Sequence, residues 1–263
     1  MTDPVLLEIE DGVATITLNR PENRNALSKE MSGAIVEAVD EVEATDGVRC
    51  LVVTGAEGTF CAGGDVNMML DVVNGDAELH EVVKDIQLDT SRAIERIAAF
   101  HLPTVAKVDG IAYGAGANLA IAADITLAST DAKISFGFRQ VGLAVDTGTS
   151  YLLPRQVGVS RAKELVLTGE LLDAEAAADI GLFNHVFEDD FEEQADEFIE
   201  PIATGPTVAL RTSKQLIEQG FDVSLKDALH NEAAAQAAVF ATRDHEEGAT
   251  AFMEGREPEF EGR

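Results

Sequence analysis

In the stretch VGLAVDTGTSYLLPR, residues 141–155, one carboxylate, Asp146, stands between an apolar run and a cluster of small hydroxyl and glycine residues. An Asp directly before Thr, Gly, Thr and Ser is a helix-cap pattern, in which the side chain accepts a first-turn N–H. The same carboxylate in an apolar pocket is a general acid or base, because desolvation raises its proton affinity toward the range useful for proton transfer. Both readings stand on this stretch alone. Two glycine-rich turns offer a complement: TFCAGGDV at 59–66 and YGAGANLA at 113–120 each follow an apolar run and lead into helical sequence. Glycine there permits close backbone approach to a ligand, and free N–H groups at a helix start can point at a negative oxygen. One such turn is equally a tight connection, and two could be phosphate cradles or converge on one oxyanion. A Walker-type loop needs Gly-Lys-Ser/Thr, which neither turn has, and GAGANLA carries Asn118 near the third glycine position of the dinucleotide fingerprint. An oxyanion hole is the sharper idea.

The elements that must position these groups are legible in outline. VLLEIE and VATITLN are β-like runs joined by Asp11-Gly12, a hairpin signal. Ser28 opens a helical pattern through Met31, Ile35, Val39 and Val42, and residues 48–54 (VRCLVVT) read as a buried strand. The order strand, glycine turn, helix then repeats: helical sequence to about Ala99, the strand PTVAKVDG, and the second turn. DITLAST and AKISFGF are short and β-like. Beyond them the chain turns helical, with segments opening near Asp146, Ser160, Asp173, Asp190, Pro206, Ser224 and Asp244. This predicts an α/β core of stacked strand and helix turns in the first half, with helices from the second half covering that core or a partner subunit.

Taken together, LNRPENRNALS, GTFCAGGDV, PTVAKVDGIAYGAGANLAIAADI and VGLAVDTGTSYLLPRQVGVSRAKELVLTGELLDAEAAADIGLFNHV resemble the crotonase (enoyl-CoA hydratase/isomerase) superfamily along practically the whole chain. The resemblance implies an α/β fold, a spiral of ββα turns over residues 1–200, followed by a helical trimerisation region over 201–263, with trimers often paired into hexamers. It implies coenzyme A thioesters as ligands, with no separate cofactor. It also implies two backbone amides holding the thioester carbonyl as it gains enolate character; by position these are Gly64 and Ala115, each such donor contributing ~3 to 4 kcal/mol.

Departures from the family's pattern bear on the reaction. Hydratases of the superfamily are similar in using two glutamates; the matching positions here hold Asn118 and Phe138. An amide cannot take a proton from water, and a phenyl ring does no acid or base work. Asp146 stands where superfamily isomerases carry an acid, notably the ring-1,2-epoxyphenylacetyl-CoA isomerase group, which this chain also resembles in GAGANLA and LLPR. The leading expectation is therefore an acyl-CoA double-bond isomerase with Asp146 as its single proton shuttle, and the runner-up is a hydratase. The same string resembles the nucleophile segment of 4-chlorobenzoyl-CoA dehalogenases, but their helix histidine has no counterpart between Glu81 and Phe100. A CoA-thioester or RNA binder without turnover is the remaining class. An apolar setting of Phe136, Phe138, Val141, Leu143 and Val145 would shield a dienolate from water.

By the same resemblance, coenzyme A rests against the first loop and the turn at Ala62 and Gly63, near Asp65 and Gly114. Arg20 or Arg24 would lie near its phosphates, and Phe252 or Arg256 would reach in from a helix of the same or a neighbouring subunit. Asn118 either orients substrate or bonds locally. Asp65 also reads as a helix-start charge and Asp124 as a turn residue. The five histidines, His80, His101, His185, His230 and His245, show no metal-ligand spacing, and no metal is expected.

Composition bounds the setting. Its 263 residues, 46% hydrophobic, can bury a large core. Against 48 acidic residues there are 19 basic ones, a formal net charge of −29 that repels nucleic acid and anionic membranes. Cys50 and Cys61 are too few for a disulfide framework, and the N-terminus lacks a signal pattern, so a reducing cytoplasm is expected. The acids are spread along the chain, a composition similar to that of proteins from salt-in halophiles, in which salt screens self-repulsion. The melting temperature is accordingly expected to rise between dilute buffer and molar KCl; scanning calorimetry at the two salt levels checks it.

Overall fold

The computed structural model describes residues 3–263. Strands β1 (Val5–Glu10) and β2 (Val13–Leu18) pair antiparallel through a two-residue turn in which Asp11 and Gly12 have φ 48° and 82°. Two left-handed residues make the turn whose twist matches the strands it joins. Helix α1 (Lys29–Ala44) starts at Ser28, whose hydroxyl accepts the Met31 N–H at 3.1 Å. Its apolar stripe, Met31, Ile35, Val39 and Val42, is buried against the sheet. Strand β3 (Cys50–Gly55) then lies parallel to β2.

The next stretch holds α2 (Val66–Asn74), α3 (Leu79–Asp85), a single π turn (Ile86–Thr90) and α4 (Ser91–Ala98). Two strands follow, β4 (Thr104–Val108) and β5 (Ile111–Tyr113), before the short α5 (Ala115–Ile121). Then come β6 (Ile125–Ser129), β7 (Lys133–Ser135), α6 (Thr149–Thr168), β8 (Leu172–Asp173), α7 (Ala174–Asp179) and β9 (His185–Phe187). Four helices end the chain: α8 (Phe191–Ala203), α9 (Thr207–Gly220), α10 (Leu225–Val239) and α11 (Arg243–Glu254).

Successive turns of the spiral split their strands between two sheets. The larger has the order β1-β2-β3-β4-β6-β9, parallel from β2 onward, and the smaller has β5-β7-β8. Isolated bridges Leu27–Gly64 and Cys61–Ala112 carry the smaller layer back to the first loop. The core between the layers and α1, α4 and α5 is continuous, with Phe60, Phe100, Phe136 and Phe183 fully buried. On the other face of the large sheet, α8 packs Ala195, Ile199 and Ala203 against Cys50, Val52, Val105 and Leu127. Helix α8 thus belongs with the sheet to its end, and α9 to α11 carry much exposed apolar surface, including Ile217, Phe221, Leu225 and Phe240.

Several expected helix starts take a different form. Helix α6 begins at Thr149, three residues after Asp146, and Gly158 (φ 76°, ψ 159°) breaks it just before Ser160. Asp173 and Ser224 cap α7 and α10 through their side chains. Asp190 is left-handed and makes no side-chain cap, and Thr242, not Asp244, caps α11. Asp244 is buried within the first turn because its carboxylate receives the Glu261 and Gly262 N–H groups of the returning C-terminal tail.

That tail is anchored by Arg49, at the start of β3. Its Nε donates to Thr207 Oγ1 at 2.8 Å, Nη1 to the Phe260 carbonyl at 3.3 Å, and Nη2 to the Gly205 carbonyl. One planar guanidinium therefore joins the large sheet, the α8–α9 connection and the tail. Arg49→Ala is expected to cost about 1–3 kcal/mol by leaving these acceptors without a donor. Thermal melting checks the loss, and carboxypeptidase digestion checks the release of the tail.

Candidate active site

The two glycine turns meet through backbone. Cys61 donates its N–H to the Ile111 carbonyl at 2.9 Å, and its own carbonyl accepts from the Tyr113 N–H at 2.9 Å. A Cβ added to Gly116 would fall 2.2 Å from the Cys61 oxygen. One added to Gly63, which has φ 105°, would fall 2.8 Å from the Tyr113 oxygen and 3.9 Å from the Ala115 nitrogen. Only glycine lets the chains come this close. Gly114 (φ 54°, ψ −117°) then turns the chain into α5, whose first intrahelical bond runs from the Asn118 N–H to the Gly114 carbonyl. Among the described residues, the N–H groups of Gly64 and Ala115 donate to no protein acceptor. For Ala115 that is the general condition of a helix's first turn, while Gly64 stands just before the α2 cap Asp65; two donors on adjacent segments are left available to a negative oxygen.

The first loop is fastened to the same place. Ala62 donates to the Arg24 carbonyl at 3.0 Å, and Leu27 donates to the Gly63 carbonyl at 2.7 Å. Asn25, left-handed and fully buried, donates to the Ala56 and Thr59 carbonyls and accepts the Arg20 N–H at 2.8 Å. Sequence reasoning passed over Asn25; its one signal is an amide in the string RNALS, where a turn needs both a donor and an acceptor. The Arg24 side chain is exposed beside this loop. Asp65 does act as a helix-start charge, its Oδ1 accepting the Asn67 N–H at 2.9 Å. A shallow pocket lies between the loop and α2, lined by Arg20, Asn23, Ser28, Asp65 and Asn67. Arg20 pairs there with Glu30 at 3.1 Å.

Asp146 is half-buried and is not a helix cap: α6 has no side-chain cap, and Gly148 stands at its start. Its main chain is held instead. The Asp146 carbonyl accepts from Asn118 Nδ2 and the Thr149 N–H, each at 3.0 Å, and the Thr149 hydroxyl oxygen lies at the same distance from it. Asn118 is fully buried, and its Nδ2 also donates to Thr147 Oγ1 at 2.7 Å while its Oδ1 accepts from Thr149 Oγ1 at 2.8 Å. The amide is fully engaged by protein groups, so the choice between orienting substrate and bonding locally falls to local bonding. Asn118 lies one helical turn beyond Ala115, which ties the Asp146 loop to the oxyanion donors. Burial pushes the Asp146 carboxyl above its ordinary value, and the Thr147 hydroxyl, 3.1 Å from Oδ1, opposes that rise. Thr147 itself has φ 45°, a strained conformation for a β-branched residue, costing about 1–3 kcal/mol.

Phe138 is buried, its ring edge 3.9 Å from where a Gly114 Cβ would stand, so it walls the second turn. Phe136 is buried too. Val141 and Leu143 are exposed, contrary to the expected apolar enclosure, because Phe138–Val141 form a 3-10 turn closed by left-handed Gly142 that aims them outward. Phe252 and Arg256 make no hydrogen bond or ion pair with the glycine turns or the Asp146 loop among the described residues. Phe252 is exposed on α11, and Arg256 is held by Glu247 at 2.6 Å and Glu254 at 2.8 Å. Cys61, inside the first turn, is buried, and burial pushes its thiol up to about 12, which disfavours the thiolate at neutral pH. Asp124 does more than turn the chain: it accepts the Thr104 N–H and hydroxyl and pairs with Lys214 at 2.8 Å.

Two main-chain N–H groups without a protein acceptor, a half-buried carboxylate whose loop is tied to α5 by Asn118, and the buried Phe138 ring make an arrangement that can receive a negative oxygen. The family of enoyl-CoA hydratase/isomerase proteins matches residues 8–263. The chain is 36% identical over 264 residues to the 1,2-epoxyphenylacetyl-CoA isomerase of Escherichia coli strain K12, with 100% of both proteins covered. It is 34% identical to the mitochondrial methylglutaconyl-CoA hydratase of Mus musculus, over 98% of this chain and 82% of that one. A crystal structure of an enoyl-CoA hydratase/isomerase from Cupriavidus metallidurans CH34 superposes with a TM-score of 0.90 at 33% identity, covering 100% and 97% of the two chains. The chain therefore belongs to the enoyl-CoA hydratase/isomerase family and has its crotonase fold.

The close approach of the two turns makes a specific demand. Gly116→Ala is expected to force Cys61 and α5 apart at a cost of about 1–3 kcal/mol. Thermal melting measures the cost, and faster amide exchange at residues 111–118 locates it.

Proposed function

We propose that this protein is an acyl-CoA double-bond isomerase, acting on enoyl-CoA or ring-derived thioesters, with Asp146 as its one acid/base. A carboxylate oxygen of Asp146 removes a proton at the α or γ carbon. The freed electron pair moves through the double bond onto the thioester oxygen, where the Gly64 and Ala115 N–H groups hold it. Asp146 then returns the proton at the other end of the dienolate, so no water, metal or redox cofactor is consumed. The observation that supports this most is that, where the family resemblance places the hydratase glutamates, the chain holds an amide bonded to protein groups, Asn118, and an aromatic ring, Phe138, while Asn118 ties the half-buried Asp146 to the helix that starts at Ala115. The 36% identity to an isomerase supports the same reading. Relatives described as hydratases support a second one, addition of water to a 2-enoyl-CoA.

The pantetheine and nucleotide of coenzyme A would lie along the first loop, past Arg24 and Ala62 toward the pocket at Arg20 and Asp65. The exposed apolar residues of α9 to α11, together with Phe252 at 85% exposure, support assembly as a homotrimer or a pair of trimers, in which α11 of a neighbour could reach the site. Two free, buried cysteines suit a reducing cytoplasm. No helix of the described residues is long and apolar enough to cross a membrane.

The test offers a 3-enoyl-CoA and a 2-enoyl-CoA to the protein in molar KCl, alongside Asp146→Asn. Double-bond migration is expected, reduced about 10²–10⁴-fold in the variant. Because burial raises the Asp146 carboxyl, kcat/KM is expected to fall on the acid side at a pH above the ordinary carboxylate value, as the base form is lost. Rapid formation of 3-hydroxyacyl-CoA, at full rate in Asp146→Asn, would establish the hydratase reading instead.

A further inference from the structure

We propose that Thr147, gripped by Asn118, is a positioning residue for Asp146, committing one carboxylate oxygen to the protein and leaving the other to face the substrate. The catalytic consequence rests on the isomerase reading; the geometry does not. The Asp146 main-chain carbonyl can only accept, so the Asn118 atom 3.0 Å from it must be the NH₂ group. The same NH₂ is 2.7 Å from Thr147 Oγ1, which fills a lone pair of that hydroxyl. A hydroxyl has one hydrogen, and here it points along the 3.1 Å contact to Asp146 Oδ1. The donors run in one direction, from Asn118 through Thr147 to Asp146 Oδ1. Oδ2 remains the proton-carrying oxygen.

The position of Thr147 makes a plain loop role a poor account of it. It is buried, β-branched and left-handed at φ 45°, followed by Gly148 at φ 95°, where a second glycine would fit without strain. What glycine lacks is the hydroxyl. Asn118 is matched to the same task, because its amide donates twice, to the Asp146 carbonyl and to Thr147 Oγ1. A carboxylate there could donate to neither and would add a second negative charge beside Asp146. No ionisable neighbour competes: among the described residues, burial and the Thr147 hydroxyl alone move Asp146, and no ion pair reaches it from α5, α6 or the connecting loop.

The experiment follows the Asp146 carboxyl by ¹³C NMR across pH in molar KCl, identified by difference from Asp146→Asn, in Thr147→Ser, Thr147→Gly and Thr147→Val. With the hydroxyl gone, the Gly and Val variants are expected to titrate about one pH unit higher, the worth of one hydrogen bond to a charge. The Ser variant is expected to keep the wild-type midpoint. Thr147→Gly relieves the left-handed strain, so its melting temperature should match or exceed that of the wild type, which separates positioning from folding. The acid limb of isomerisation of a 3-enoyl-CoA is expected to move with the NMR midpoint. If Gly and Val titrate at the wild-type value, or Ser fails to restore it, the positioning role is overturned. If the wild type moves no double bond, the isomerase reading falls, while the NMR midpoints still decide what Thr147 does.

Discussion

The contact between two stretches of backbone, residues 61–64 and 113–116, governs everything else at the site. Cys61 is stitched to Ile111 and Tyr113 by one hydrogen bond each, and Gly63 and Gly116 have no room for a Cβ against the opposing carbonyls. Protein interiors do not yield to a methyl group placed 2.2 Å from an oxygen, so the approach is discrete: made with glycine or not made. From it follow the direction in which α5 starts and the lack of a protein acceptor for the Ala115 N–H. The placement of Asn118 one turn later follows as well, and through Asn118 the seating of the loop that carries Asp146. The Gly64 and Ala115 N–H groups and the loop of Asp146 are thus referenced to one another through backbone and a single buried amide.

Neutral groups do the orienting in a chain that has few cations to spare. Asp146 sits half-buried with no counter-ion, so its proton affinity reflects desolvation and one hydroxyl, both of short range and little screened by salt. Three largely covered basic residues serve elsewhere. Lys107, on β4, meets Glu192 and Asp196 of α8; Lys214, on α9, meets Asp124; and Arg49 joins β3 to the tail. Each lies at a seam between the sheet and a C-terminal helix. Against a net charge of −29, each joins elements that the self-repulsion of the chain would otherwise push apart.

Patterns that act over a few residues were legible in the chain. The Asp11-Gly12 hairpin, the Ser28 cap, the stripe from Met31 to Val42 and the caps at Asp173 and Ser224 all stand as the residue types indicate. Where the same local pattern met a competing tertiary partner, it misled. Asp146 before Thr-Gly-Thr-Ser has the look of a cap, yet Asn118 takes the loop and turns the carboxylate away from the helix. Asp244 looked like a helix start, and the returning tail claimed its carboxylate instead. Val141 and Leu143 looked like enclosure, and a 3-10 turn rotated them outward.

The sequence by itself determined the hairpin, the α/β core, the two glycine turns and the presence of a carboxylate in the third segment, because turn chemistry, periodicity and motif order are properties of neighbouring residues. Only the tertiary structure decided that the turns of Gly64 and Ala115 meet, that Asn118 ties the Asp146 loop to α5, and that the Thr147 hydroxyl lies against the Asp146 carboxylate. Those facts depend on contacts between segments dozens of residues apart. Which partner a buried polar group finds there is set by how the layers pack and not by its neighbours in the chain.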